Sequence, residues 1–528
     1  MKLRVIKEEV CMKSKKIVSL VLVAALVGSA LVGFAAPRQK GMKISITLMA
    51  GPKRPNSWFQ AELGKKLNAK FDFIMLPGWE EKNMKTNLLM QDKDKRPDVL
   101  WFNGMAKEYR QWVEAGLLVD VVPLLKKTKN KNMLKKFTPE ILFASYENGK
   151  IYKIPTDIGG KGCCMSTFVR KDWLDKLGLK PPTTLEEFID VARAFTKNDP
   201  DGNGKDDTYG FGGQNSGSVD WRFFSPVFYA FGYDPDQFGM YNGTVKIGAT
   251  VSETRKALEV LRDMYKEGLI EPTVFTGNDI GQMVAKGRIG MFYSWQSFYE
   301  PDDTSYKALK ANVPDAELLP LDPIKGPEGL SGDYPEPLGS WCYIVVTNHN
   351  KNLQGVVNVL DEMMTPEIKM LNEYGEHGKH YVMENGKPKR TIAEEEKNSL
   401  GLGSLGWICF GDLPVTRDAK LVKLEEDRAR TANQMRMEER IIHFNLSVRE
   451  NCPTWLKYVT EISDLKNEVF VGIITGQKQI SEYDRFIEAY YNKFEGKQIE
   501  KEVTELYKKE KALFEEFKKF YDKELKVK

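Results

Sequence analysis

Between Asn198 and Asp207 the chain reads NDPDGNGKDD, a run in which oxygen-bearing side chains recur at a spacing that suits a cation. With Asp199 as position one, carboxylate or carboxamide oxygens stand at positions one, three, five and nine (Asp199, Asp201, Asn203, Asp207), Gly204 stands at six, and the carbonyl of Lys205 is available at seven. A hard divalent cation takes roughly six to eight oxygens from a tightly turning loop, and an EF-hand presents its Ca2+ ligands and its turn glycine in this order. Position twelve is Gly210, where a signalling EF-hand has a bidentate Glu. The expectation is therefore a structural Ca2+ site at Asp199, Asp201, Asn203, Lys205 and Asp207, not a Ca2+ switch. The competing reading is a metal-free Asp/Asn/Gly turn.

A second chemistry is offered by aromatic residues flanked by polar ones, in a chain with 10 Trp and 21 Tyr. A sugar ring has apolar C–H faces that stack on aromatic rings, and hydroxyls that need amide or carboxylate partners. The stretches that mix the two are Asn56-Ser57-Trp58, Trp101-Phe102-Asn103, Asp220-Trp221-Arg222, Ser294-Trp295-Gln296, Ser340-Trp341 and Gly406-Trp407. Trp295 and Trp341 stand at strand ends, where α/β clefts form, and rank first as sugar platforms. Trp58, Trp221 and Trp407 follow them. Asn103 and Asp157, each after a strand-like segment, are the hydroxyl partners of choice. For any one Trp the competing reading is a core or lobe-interface residue.

Other chemistries leave no trace. The chain has no GxSxG elbow, HExxH, Walker GxxxxGK[ST] or strand-linked GxGxxG. Of its four histidines only His377 and His380 are close, in a Gly-flanked loop without a local acid or Cys to complete a metal set, which reads as a surface loop. The paired carboxylates of a glycoside hydrolase come from distant strands, so a secreted glycan-active hydrolase or lyase stands as one alternative, and a sugar-sensing ectodomain as another. Cys163, Cys164, Cys342, Cys409 and Cys452 have no CxxC spacing and are odd in number, which reads as buried free thiols.

The elements that must position these residues are legible as alternating runs. Lys43 to Met49, Phe71 to Leu76 and Val99 to Phe102 read as strands, with helices over Trp58 to Leu67 and up to Met90 between them, the pattern of βαβ units and a parallel sheet. Arg288 to Ser294 and Trp341 to Thr347 are further strands. Helices begin after Pro182-Thr183-Thr184, where hydroxyls can cap free N–H groups, and at Leu353, and a charged helical tail begins at Ser481. Two such α/β units with the chain crossing between them predict two lobes and a cleft. Residues 1–35 read as a signal peptide: Lys13, Lys15 and Lys16 precede an apolar run ending in small residues. An uncleaved anchor is the alternative. The formal net charge is +4, and residues 1–36 hold six basic residues against two acidic ones, so the remainder is neutral and nucleic acid is not an expected partner.

The segments NGKIYKIPTD (148–157), FVRKDWLDKLGLKPPTTLEEF (168–188), DPDGNGKDDTYG (199–210), KGRIGMFYSWQ (286–296), YGEHGKHYVMENGKP (374–388) and VFVGIITGQKQISEYDRFIEAY (469–490), in this order, make the chain resemble the extracellular solute-binding proteins of carbohydrate ABC importers, in their long Ca2+-containing alginate- and oligosaccharide-binding branch. The resemblance implies an α/β, two-lobed periplasmic-binding-protein fold with hinge crossings and an interlobe ligand cleft. It further implies closure on an oligosaccharide that is passed to ABC permease subunits in the membrane, with no catalysis, by a monomer. It carries the Ca2+ ligands onto Asp199, Asp201, Asn203, Lys205 and Asp207, and a ligand-stacking Trp onto Trp295. Alginate-type members have an acid after the last Asp, and here that place is Thr208. There is no lipid-accepting Cys after the signal, so a free periplasmic or extracellular protein is expected over a lipoprotein. No basic cluster marks a uronate site, so alginate itself is not implied. The expected division is 42–158 plus about 336–400 for lobe one and 159–335 plus about 401–528 for lobe two.

Overall fold

The computed structural model describes residues 41–49, 56–78, 81–156, 165–212, 219–275, 280–295, 304–332, 342–406, 408 and 451–527. The signal segment lies outside them. Among the described residues no helix is long and apolar enough to cross a membrane.

The first sheet contains β1 (Met42–Leu48), β2 (Ala69–Met75), β3 (Val99–Asn103) and β4 (Lys153–Pro155), together with β9 (Cys342–Val346), in the spatial order β2-β1-β3-β9-β4. β1 pairs with β2 and β3 in parallel. Val99, Leu100, Trp101 and Phe102 are all buried, as expected of a strand covered on both faces. Helix α1 (Trp58–Leu67) supplies the first crossover. The parallel sheet expected from the sequence holds for β1, β2 and β3, whereas β9 runs antiparallel to both β3 and β4. The chain re-enters this sheet at the ends of the parallel strands, after its excursion through the second lobe, so its strand has to run the other way.

The second sheet has the order β8-β5-β7-β6, from β5 (Met165–Arg170), β6 (Tyr209–Gly212), β7 (Ile289–Trp295) and β8 (Leu318–Pro320). β7 is parallel to β6 and antiparallel to β5. Between β5 and β6 lies α2 (Leu185–Lys197). It opens on a capping box in which Thr184 accepts from Glu187 N while the Glu187 side chain accepts from Thr184 N. Its buried face, Phe188, Val191, Ala192 and Phe195, packs on this sheet.

Each sheet has its own core. Ile46, Leu63, Trp101, Ile154, Ile344 and Leu360 belong to the first; Phe188, Phe211, Trp221, Leu261, Met291 and Phe470 belong to the second. The last helices are α3 (Pro453–Ile474), α4 (Glu482–Asn492) and α5 (Gly496–Glu524). α5 has 29 residues and is about 44 Å long, more than one lobe needs. Its start puts Ile499 and Val503 into the second core and its end puts Phe517 and Tyr521 into the first, where the Tyr521 hydroxyl donates to Phe137 O at 2.6 Å. Leu402, Leu405 and Ile408 also pack in the first core. The packing thus divides the stretch from about 401 onward, which sequence alone assigns to lobe two as a block.

Candidate functional site at the ends of the two sheets

Strand register brings several predicted residues to one end of each sheet. In the first, Asn103 closes β3 opposite Cys342, the first residue of β9. Its amide Nδ2 is 3.8 Å from Cys342 Sγ. Thr156, just after β4, donates to Cys342 O from its N at 3.0 Å and from its hydroxyl at 3.1 Å. In the second sheet, Trp295 closes β7 opposite Met165, which opens β5. The chain passes from Thr156 to Met165 through residues 157–164, whose covalent reach is at most about 30 Å. Asn103 and Trp295 therefore stand at the two sheet ends that this crossing joins. Asp157, Trp341 and Trp407 lie outside the described residues.

Trp295 is half-buried against Met165, Phe223, Tyr229 and Tyr293. Trp58 begins α1 and is half-buried too, its ring edge-on to His380 at 4.5 Å between centroids. His380 is not the surface residue the sequence predicts. It is 9% exposed, and its Nδ1 accepts from Glu376 N at 3.0 Å. Cys342 and Cys452 are buried and outside any disulfide among the described residues; Cys163, Cys164 and Cys409 lie outside the described residues. Burial, with Glu502 nearby, pushes the Cys452 thiol up to about 11.

Trp221 is corrected. It is fully buried in the second core, where its Nε1 donates to Asn467 Oδ1 at 2.8 Å, and no ligand ring reaches it. The reason is local: residues 221–224 form a 3-10 turn, in which successive side chains point about 120° apart. With Trp221 turned inward, its neighbours Asp220 and Arg222 emerge. Both oxygens of Asp220 accept from Arg222 Nε, at 2.9 and 3.0 Å. The Arg222 guanidinium carbon lies 5.7 Å from the centroid of the Trp295 ring. These two residues entered the sequence reading only as flanks of Trp221, because nothing in the chain shows that they meet Trp295.

The loop from Asp199 to Asp207 runs between α2 and β6. Asp199, Gly202 and Gly204 have φ of 45°, 73° and 72°, which winds the loop tightly. Asp199 Oδ1 accepts from Gly202 N and Asn203 N at 3.0 and 3.1 Å, and its Oδ2 accepts from Gly204 N at 3.0 Å. The Gly204 amide and its neighbours hold the Asp199 carboxyl below its usual range, whereas partial burial and the adjoining Asp199 and Asp207 push that of Asp201 up. Asn203 Nδ2 bridges Asp201 Oδ2 at 2.8 Å and Asp207 Oδ1 at 3.0 Å. Among the described residues no three His, Cys, Asp or Glu side chains converge as a closed metal cage. The donor set nevertheless fits Ca2+ in type and order: the group that bridges the two carboxylates is a carboxamide, which can present its oxygen in place of its nitrogen.

Two slots are closed by packing. A Cβ at Gly210, position twelve, would run into the Ala192 backbone, so β6 can lie against α2 only without a side chain there. Thr208 is buried, with its hydroxyl donating to Phe195 O at 2.8 Å. A cation is already present at the rim: Arg288 Nη2 is 3.2 Å from Asp207 Oδ2.

A cavity of about 560 Å3 lies elsewhere, lined by residues including Lys43, Ser45, Asp72, Arg96, Asp98 and Lys351. It sits at the amino-terminal ends of β1 and β3, a strand's length from Asn103, and is not part of this site.

The chain is 29% identical over 339 residues to Lipoprotein LipO of Bacillus subtilis (strain 168), covering 61% of this chain and 62% of that protein. It is 27% identical over 300 residues to the fructooligosaccharide ABC transporter substrate-binding protein FusA of Streptococcus pneumoniae serotype 4, covering 53% of each. The matches thus span less than two thirds of either relative. In structure it resembles S. pneumoniae FusA in complex with kestose, with a TM-score of 0.66 at 19% identity, covering 89% of this chain and 99% of that one. It also resembles alginate-binding protein AlgQ2 without calcium ion, with a TM-score of 0.59 at 18% identity, covering 89% and 98%. The fold is accordingly that of the two-lobed solute-binding proteins. The family described as bacterial extracellular solute-binding protein matches residues 62–370, more than half of the chain, and this chain belongs to it.

Proposed function

We propose that this chain is the extracytoplasmic substrate-binding component of a carbohydrate ABC importer. It holds an oligosaccharide between its lobes, releases it unaltered to membrane permease subunits, and works as a monomer outside the cytoplasm after export by the segment 1–35. The observation that carries this reading is the placement of a half-buried indole, Trp295, at the end of β7 opposite Met165, where the chain enters the second sheet from the first, with the amide of Asn103 at the end of the first sheet that it leaves. Family membership and the likeness to FusA support it. Trp295, Trp341, Trp58 and Trp407 are the proposed stacking residues, and Asn103 and Asp157 the proposed hydroxyl partners.

The test is a thermal-shift screen against a broad oligosaccharide panel. A ligand at a hundred times its Kd stabilises the folded protein by about 2.7 kcal/mol. Trp295→Ala should weaken binding of the hit roughly ten- to a hundredfold with the fold intact. Mass spectrometry after long incubation should return the sugar unchanged; accumulation of cleaved sugar would establish the glycan-active alternative.

Ca2+ is proposed as a structural ion held by Asp199, Asp201, Asn203, the Lys205 carbonyl and Asp207. When bound it would supply positive charge that ties the end of α2 to the start of β6. Its binding free energy would add to stability in proportion to occupancy. Metal-stripped protein should therefore melt higher on titration with Ca2+, and Asp201→Ala should melt low and ignore chelator. An unchanged melt on Ca2+ addition would remove the ion from the proposal.

A further inference from the structure

We infer that α5 is a strut that sets the angle between the two lobes, and that residues 508–512 are the flexure at which it bends when the lobes swing. Each end of the helix is fixed to a different lobe by polar contacts as well as apolar packing. In the second lobe Val245 N donates to the Thr504 hydroxyl at 3.0 Å, and the Tyr491 hydroxyl donates to Glu500 Oε1 at 2.7 Å. Thr454 donates to Glu502 from its N at 3.1 Å and from its hydroxyl at 2.7 Å. In the first lobe Tyr521 holds Phe137 O, and Lys126 Nζ donates to Glu524 Oε2 at 2.5 Å. Phe514 and Phe517 pack on Phe143 at 4.9 and 5.8 Å between ring centroids.

Between these anchors the helix passes from one core to the other. Leu506 and Tyr507 still pack against the second core and Leu513 and Phe514 against the first, while Lys508, Lys509, Lys511 and Ala512 are exposed. From Lys497 to Glu524 there is neither Gly nor Pro, and the Lys, Glu and Ala of residues 508–512 are among the strongest helix formers. Sharp kinks arise almost always at Pro, at Gly or Ser pairs, or at a π-bulge, so this composition keeps α5 straight. A change in the angle between the lobes has to bend the helix or pull one of its ends out of a core. Withdrawing an end would expose Phe517 and Tyr521, or Ile499 and Val503, all of them buried. Bending at residues 508–512 displaces no core side chain and is the less costly route. The helix therefore favours the arrangement that it spans, and the width of the cleft depends on an element that carries none of the proposed sugar-binding residues. The inference stands on the fold and not on the oligosaccharide-binding reading.

The experiment measures the distance distribution between the lobes by double electron–electron resonance on the full chain without added sugar. Nitroxide labels are carried by ketone-bearing amino acids in place of Lys129 and Lys266, exposed residues of the first and second lobe, which spares the native thiols. Lys508→Gly/Lys509→Gly softens the flexure, and Lys508→Ala/Lys509→Ala removes the same charges while keeping helix propensity. A kink of about 20° halfway along a helix about 44 Å long carries its far end through about 7 Å. The glycine pair should broaden the distribution by displacements of that order, whereas the alanine pair should keep the wild-type distribution. Melts and far-UV circular dichroism check that both lobes stay folded, and Lys509→Gly alone replaces the glycine pair if the pair does not fold. A folded glycine variant with the wild-type distribution, or an alanine pair that broadens it as much as the glycine variant does, overturns the inference.

Discussion

Asp234 allows a quantitative test of how the second lobe is built. It is 3% exposed; Oδ1 accepts from Asp236 N at 2.8 Å, while Oδ2 has no hydrogen-bond partner among the described residues. Burial pushes its carboxyl up to about 7, with Asp236 and Asp220 adding to the rise and Lys466, which is paired to Asp236, and the Asp236 N–H opposing it. An unfolded chain would ionise at about 4. Below pH 4 both states hold the proton and the group is neutral in its effect. Between pH 4 and 7 the folded protein keeps a proton that the unfolded chain releases, so stability falls as pH rises, and above pH 7 the whole penalty is present. That penalty is about 4 kcal/mol at most. Asp234→Asn keeps the accepting oxygen and cannot ionise. It should match the wild type at pH 4 and exceed it progressively up to pH 8, by roughly 10 °C in the melt of a unit of this lobe's size. Melts of both proteins at half-unit steps of pH, followed by near-UV circular dichroism, read the difference directly. A gap that does not change with pH, or a variant less stable at pH 8, would refute the assignment of a buried, protonated carboxyl.

Other outcomes follow from the same packing. Thr184→Ala removes the cap of α2, in which Glu187 N donates to the Thr184 hydroxyl at 3.2 Å, and should cost about 1 kcal/mol in denaturant titration without altering ligand affinity. Trp221→Ala opens the second core and should cost about 3–5 kcal/mol, seen as an early transition in urea, whereas Trp295→Ala should leave that transition in place. Arg288→Gln withdraws the cation beside Asp207. Because that pair is partly solvent-exposed, Ca2+ affinity measured by titration should tighten only modestly, by up to about fivefold. Gly210→Glu, which would restore the EF-hand acid, should lower the melting temperature and leave Ca2+ affinity no higher, since the side chain meets the Ala192 backbone.

The sequence by itself determined what is carried by contiguous residues. The oxygen spacing from Asp199 to Asp207 is local, and so are the start of α2 at Thr184 and the apolar run Val99 to Phe102. The two-lobed α/β reading followed from these runs and from the resemblance they compose. Tertiary structure alone decided the rest, because it depends on pairings between distant parts of the chain. Trp221 and Trp295 both stand among polar neighbours, and in the sequence only the strand end ranks Trp295 above Trp221. One is buried because a 3-10 turn aims it at Phe470 and Phe228, and the other ends a strand beside Met165. Arg222 reaches Trp295 only because the turn that carries it packs against β7. The antiparallel run of β9 reflects the side from which the chain returns. The division of α5 between two cores reflects a helix longer than either lobe, whose apolar residues at each end find different partners. Local spacing sets which residues can do chemistry, and only long-range register and packing set which of them face one another.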